Sequence, residues 1–153
     1  MKPLRNLVFL FSCLACVGAV AAQRITHMRS FFPRKEVAAS LVSSLDIASF
    51  RSSLGPRRGS KRTFAELGMV PSKVTESAIE FEDADWYYGI RVLQRSDSNN
   101  DGVEDLEVCF TDRAKQGSYS TQQPMLVTKY SASSLAVALA YRIDGCDRIG
   151  GED

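Results

Sequence analysis

Histidine is almost absent from this 153-residue chain: His27 is the only one. A Ser-His-Asp relay needs its base held by a packed scaffold, and His27 stands a few residues past a segment that reads as a removable leader. It is expected to be an ordinary exposed side chain, and a zinc site built on histidine fails for the same reason. No G-x-S-x-G elbow occurs, so Ser131, Ser133 and Ser134 read as turn residues after a strand. No apolar run reaches the roughly 20 residues that span a bilayer. The chain has no internal repeat and no long low-complexity segment. Its densest basic stretch lacks interleaved aromatic residues, which argues against nucleic acid as a partner.

Cysteine is scarce too, with four in all. Two of them lie in the N-terminal stretch, where Lys2 and Arg5 precede an apolar run from Leu7 to Val20 and small residues at Ala19, Ala21 and Ala22. A basic start, a short apolar core and an A-x-A exit make a secretory signal. Residues 1–22 are therefore expected to be a signal peptide and 23–153 a single exported domain, periplasmic or secreted, with no stable membrane span after cleavage. Leu10-Phe11-Ser12-Cys13 loosely resembles a bacterial lipobox, so lipidation at Cys13 is the alternative processing, although apolar residues continue past it. What remains is long enough for one ordinary core and too short for two. Its two cysteines, Cys109 and Cys146, form an even pair in an oxidising compartment and are expected to be disulfide-bonded.

The formal charge of +1 hides an asymmetry. Residues 23–73 hold ten Lys or Arg against three acids, a net of +7, and residues 74–153 hold seven against fifteen, a net of −8. Either the two halves face each other within one molecule, or the basic stretch reaches an anionic partner.

The halves also differ in periodicity. Val37, Leu41, Leu45 and Ala48 are spaced for one or two amphipathic helical segments, which Gly55-Pro56 ends. Thr63 and Glu66 have the spacing of a capping box before a short helix that Gly68 and Pro71 close. From Ala78 onward the pattern changes to alternation. Strands are expected over 78–82, 86–95, 105–112, 124–130 and 135–143, with Leu106, Val108 and Phe110 sharing one face of the third. The fold expected is α+β: an antiparallel five-stranded meander over about residues 78–143, with short N-terminal helices packed on one face. The basic helical half is 23–73 and the acidic β half 74–153.

The sharpest local pattern is Asp97-Ser98-Asn99-Asn100-Asp101-Gly102-Val103-Glu104-Asp105. Oxygen side chains at positions 1, 3, 5 and 9 with glycine at 6 suit a hard cation, and the Val103 carbonyl can complete the shell. Val108 stands where a helix-loop-helix calcium site would need glutamate, which excludes that motif. The stretch resembles the D-x-[DN]-x-D-G-x-x-D calcium loops of integrin-type FG-GAP repeats and thrombospondin type 3 repeats. The resemblance covers this loop alone. It implies Asp97, Asn99, Asp101 and Asp105 as side-chain ligands of a structural Ca2+. The competing reading is a polar hairpin turn around Asn100-Asp101-Gly102.

Other constellations are sparser. Glu80, Glu82, Asp83, Asp85 and Glu104 offer paired carboxylates that could do glycosidase work. Trp86 and Tyr88 share a strand face with Ile90 and Val92 and are expected in the core, leaving Tyr87 for the surface. Arg57, Arg58, Lys61 and Arg62 could hold an anion by charge. Together these features imply a small exported, non-enzymatic binding protein, calcium-stabilised, whose partner is another exported protein. The alternative is a carboxylate-dependent hydrolase of an envelope or extracellular polymer.

Overall fold

A computed structural model describes residues 28–57, 59–143 and 145–146. The expected signal peptide 1–22, His27 and Arg58 lie outside the described residues, as does the C-terminal stretch from 147. In chain order the elements are α1 (Val37–Ser44), β1 (Leu45–Asp46), a 3-10 turn (Ile47–Ser49), β2 (Lys73–Val74), β3 (Ala78–Glu82), β4 (Trp86–Ser96), β5 (Asp105–Ala114), β6 (Ser120–Thr128) and β7 (Ala136–Leu139). All seven strands join one sheet in the order β1-β7-β6-β5-β4-β3-β2. β1 runs parallel to β7 and every other neighbour is antiparallel. The mixed sheet curls into a half-barrel.

This corrects the α+β expectation of a five-stranded antiparallel meander under several N-terminal helices. The protein is mostly β, with seven strands and a single α-helix among the described residues. The helical spacing of Val37, Leu41 and Leu45 survives only as far as Ser44. Leu45 then turns extended and pairs with Ala136, which buries both completely. Nothing local favours a longer helix. Its N-terminus has no side-chain cap, and the Ser40 and Ser44 hydroxyls bond back to the carbonyls of Val37 and Ser40, a habit that weakens and bends helices. Thr63 Oγ1 does accept the Glu66 N–H at 3.1 Å, but the chain makes only turns before Gly68, at φ 76°, reverses it. The last strand is also shorter than expected, because after Leu139 the chain leaves the sheet to bring Cys146 to Cys109.

The concave face holds the core. α1 lays Val37, Ala38 and Leu41 into it. Phe64 stacks on Phe81 with centroids 4.7 Å apart, and Phe50 tilts against Phe110 at 5.0 Å. β4 and β5 supply the floor, with Ile90 opposite Phe110 and Val92 opposite Val108. On the other face Cys109 and Cys146 are disulfide-bonded, with Cα atoms 5.3 Å apart. The bond pins the returning chain over β5. There Gly145 passes so close that a Cβ would lie 2.8 Å from the Leu93 side chain.

Candidate functional site

The β4–β5 hairpin has two chemically distinct ends. At one, the turn Asp97–Asp105 is wound by its own side chains. Asp97 accepts the N–H groups of Asp101 and Gly102, each at 2.9 Å. Asn99 accepts the Asp101 N–H at 3.0 Å, and Asp101 accepts the Val103 N–H at 2.9 Å. Asn100 and Gly102 take positive φ (61° and 80°), the conformations that asparagine and glycine tolerate best. Asp105 begins β5 fully buried, with one carboxylate oxygen accepting the Ser98 and Asn99 N–H groups. Its Oδ1 is buried with no hydrogen bond, as is Oγ1 of Thr128, its partner across the β5–β6 ladder. Burial pushes the Asp105 carboxyl up; the Thr128 hydroxyl is near enough to pull it back without making a well-formed bond, and the Asn99 and Ser98 N–H groups do the same. The phenol of Tyr130 beside the turn is likewise raised, by burial and then by the charges of Asp101 and Asp105.

The expected ligands Asp97, Asn99, Asp101, Val103 and Asp105 thus all belong to one turn, with Val103 buried against Arg29. Their side-chain oxygens are largely directed onto the turn's own N–H groups. Among the described residues no group of three or more His, Cys, Asp or Glu side chains gathers closely enough to hold a metal ion. The orphaned Asp105 oxygen is the one observation that fits a cation here.

Sequence reasoning missed what clamps this turn. Glu104 is buried and takes the Arg95 guanidinium at 2.7 Å and the Ser30 hydroxyl at 2.5 Å. Arg29 exchanges backbone bonds with Gly102 and Glu104, so residues 29 and 30 strap the turn to the body of the domain.

At the other end, Trp86 and Tyr88 of β4 and Tyr119 before β6 line a cleft of about 800 Å³ beneath the Ser52–Pro56 loop. Tyr88 is buried as expected; Trp86 is 37% exposed, which corrects its assignment to the core. Tyr87 points to the opposite face, under the Arg113 guanidinium at 4.9 Å. Asp112 stands opposite Tyr88 on the core-facing side of β5 and is 1% exposed. One of its oxygens accepts the Gly55 N–H at 2.7 Å and the Tyr119 hydroxyl at 3.3 Å, and the other has no partner. Gly55 is required here, because a Cβ would fall 2.7 Å from the Tyr88 hydroxyl. The signal for Asp112 was present in the sequence, since it continues the parity of Leu106, Val108 and Phe110 with a carboxylate where a core residue belongs. Tyr119 gave no such signal.

Of the expected anion-site residues, Arg58 lies outside the described ones, and the other three stand apart in their contacts. The Arg62 guanidinium is engaged by both oxygens of buried Asp46. Arg57 sits exposed at the mouth of the aromatic cleft, and Lys61 is exposed elsewhere on the loop. Of the carboxylates weighed for hydrolysis, Glu82 and Asp83 share a hollow beside Trp86. Glu82 is ion-paired to Lys115 at 2.9 Å, and the Trp86 and Asp85 N–H groups hold Asp83 below the usual carboxylate range. Asp83, held toward its ionised form, is a poor proton donor for glycoside cleavage. Glu80 is paired to Lys73 at 3.4 Å. No helix among the described residues is long and apolar enough to cross a membrane. No protein family matches this chain, and neither does any curated protein or solved structure.

Proposed function

We propose that this is a small exported binding protein, non-enzymatic and stabilised by calcium, that engages another exported protein through the cleft at the Trp86 end of the hairpin. The observation that carries the reading is the cleft itself, where exposed Trp86 and Tyr119 stand over a buried, half-satisfied carboxylate. Binding sites combine large apolar contact area with a few polar groups that fix orientation, and Trp and Tyr supply both. The Cys109–Cys146 disulfide supports an oxidising, exported setting. The buried Oδ1 of Asp105 at the foot of the acidic turn supports the calcium site, whose ion would neutralise the side chains of Asp97, Asp101 and Asp105.

Trp86 is the only tryptophan in the chain, so its emission reports on the cleft directly. A panel spanning sugars, organic cations, carboxylates and neutral apolar compounds should contain one class that shifts that emission saturably. A panel with no such class counts against the cleft as a binding site. Calorimetric titration with calcium should show one ion per chain, and no heat at millimolar calcium would remove the metal.

A further inference from the structure

We infer that the cleft beneath the Ser52–Pro56 loop binds a methylated ammonium cation, the head group shared by choline-type compounds and N-methylated lysine side chains. The inference rests on the binding-protein reading and adds the ligand class. Two exposed rings rim the site, Tyr119 meeting Trp86 edge-on at 5.8 Å, and both stand over buried Tyr88, which lies parallel to Trp86 at 6.2 Å and is backed by Phe110 at 6.2 Å. Aromatic faces carry the negative lobe of the ring quadrupole and attract cations. Beneath them lies Asp112, whose side chain is nearly inaccessible. Its neighbours there, the Gly55 N–H and the Tyr119 hydroxyl, are neutral donors, and no ion pair among the described residues reaches it. A buried carboxylate without a counter-charge costs stability, and a cation over the rings would supply the missing charge. The same negative field reaches the surrounding phenols. Burial first, and then Asp112, pushes Tyr88 up to about 12 and raises Tyr119.

The chemistry also selects among cations. A primary ammonium is a compact, strongly hydrated charge, and it must give up that water to enter an apolar cleft. A methylated ammonium is larger, sheds water more readily and presents methyl groups to ring faces. Arg57, the cation among the described residues that lines the cleft, is exposed there and does not fill it. A neutral sugar could stack on Trp86, but it would leave the Asp112 charge uncompensated.

The test follows Trp86 emission in the oxidised protein during titration with choline, a trimethyllysine peptide, 3,3-dimethyl-1-butanol (the uncharged isostere of choline) and a neutral disaccharide. Choline or the peptide should give a saturable change, with the tighter of the two naming the source, and the alcohol should bind at least about tenfold more weakly. Asp112→Asn should erase most of that charge preference. Because Asp112 also holds the Gly55 loop, Tyr119→Leu and Tyr119→Phe serve as variants at a half-exposed position. Leucine should weaken the cation about fivefold or more, and phenylalanine, which keeps the ring, should not. Equal binding of choline and its neutral isostere, or a response to the disaccharide alone, overturns the cation assignment and leaves the binding reading standing. A flat response to every compound likewise overturns the cation assignment, and the wider panel then decides the binding reading.

Discussion

Glu104 and Asp105 are adjacent carboxylates that the fold pushes in opposite directions. Burial disfavours charge on Glu104, but the Arg95 guanidinium and the Ser30 hydroxyl outweigh it and hold the carboxyl below its ordinary 4.5. Glu104 therefore stabilises the fold above pH 4.5, and that contribution is lost as pH falls through its lower folded value. Glu104→Ala should cost about 2 kcal/mol at pH 7 by leaving Arg95 half-buried without its partner. Urea unfolding should show this loss shrinking toward pH 3. For Asp105 burial wins and the carboxyl is raised above 3.8. Its contribution is fully present below that pH and is lost as pH rises through the folded value. Asp105→Asn keeps an oxygen for the Ser98 and Asn99 N–H groups and places an N–H₂ toward the unsatisfied Thr128 hydroxyl. It should gain about 1 kcal/mol in calcium-free buffer at pH 7, and a loss would show that the charge is used by something in the folded state. The turn was legible in the sequence because its ligand-like residues lie within nine positions. Glu104 was not, because Ser30 is 74 residues away and no local pattern announces the pairing.

The longer strands were readable where one face is buried and alternation is clean. Ala78–Glu82 buries Ile79 and Phe81, and β5 buries Leu106, Val108 and Phe110. The architecture was not readable, because the strands that make it mixed and seven-stranded are two residues each. Leu45–Asp46 and Lys73–Val74 are too short to show a period, and they become strands only because a neighbour's edge offers hydrogen bonds. Tertiary pairing there overrides the helical spacing that runs through Leu45. The disulfide acts at this same scale. It closes a loop of 37 residues that contains β6 and β7, the strands joining the hairpin to the edge where β1 docks. Chain entropy assigns such a crosslink about 4 kcal/mol. A Cys109→Ser, Cys146→Ser double variant should lose most of that in guanidinium unfolding. Reducing the wild type should lower its midpoint to that of the variant, and coincident oxidised and reduced midpoints would show that the covalent link adds nothing.

At the scale of the whole molecule, four ion pairs among the described residues show where the basic and acidic halves meet. Arg62–Asp46 lies within the first half, Arg95–Glu104 and Lys115–Glu82 within the second, and Lys73–Glu80 bridges them at an exposed sheet edge. What unifies the domain is the β4–β5 hairpin, the longest pair of strands, which lies inside the sheet with neighbours on both sides. Its two ends carry the acidic turn and the aromatic cleft. At roughly 3.3 Å per residue, the eleven residues of β4 set them more than about 30 Å apart. Because the turn cannot open without fraying interior strands, a calcium ion held there should stabilise the entire domain rather than a loop. Binding to the folded state alone gives about 1.4 kcal/mol at ten times the dissociation constant, or roughly 5 °C for a domain of this size. Melting curves across zero to five millimolar calcium should therefore shift equally by backbone circular dichroism and by Trp86 emission, although Trp86 lies at the far end of the hairpin. Asp101→Ala should abolish the shift, and Glu104→Ala should retain it from a lower starting point, since Glu104 is committed to Arg95. If circular dichroism moves and Trp86 does not, the turn folds as a separate unit. If neither moves, the acidic turn is held by its own N–H groups and by the Glu104 and Arg29 contacts without an ion, and the stability of the cleft is independent of calcium.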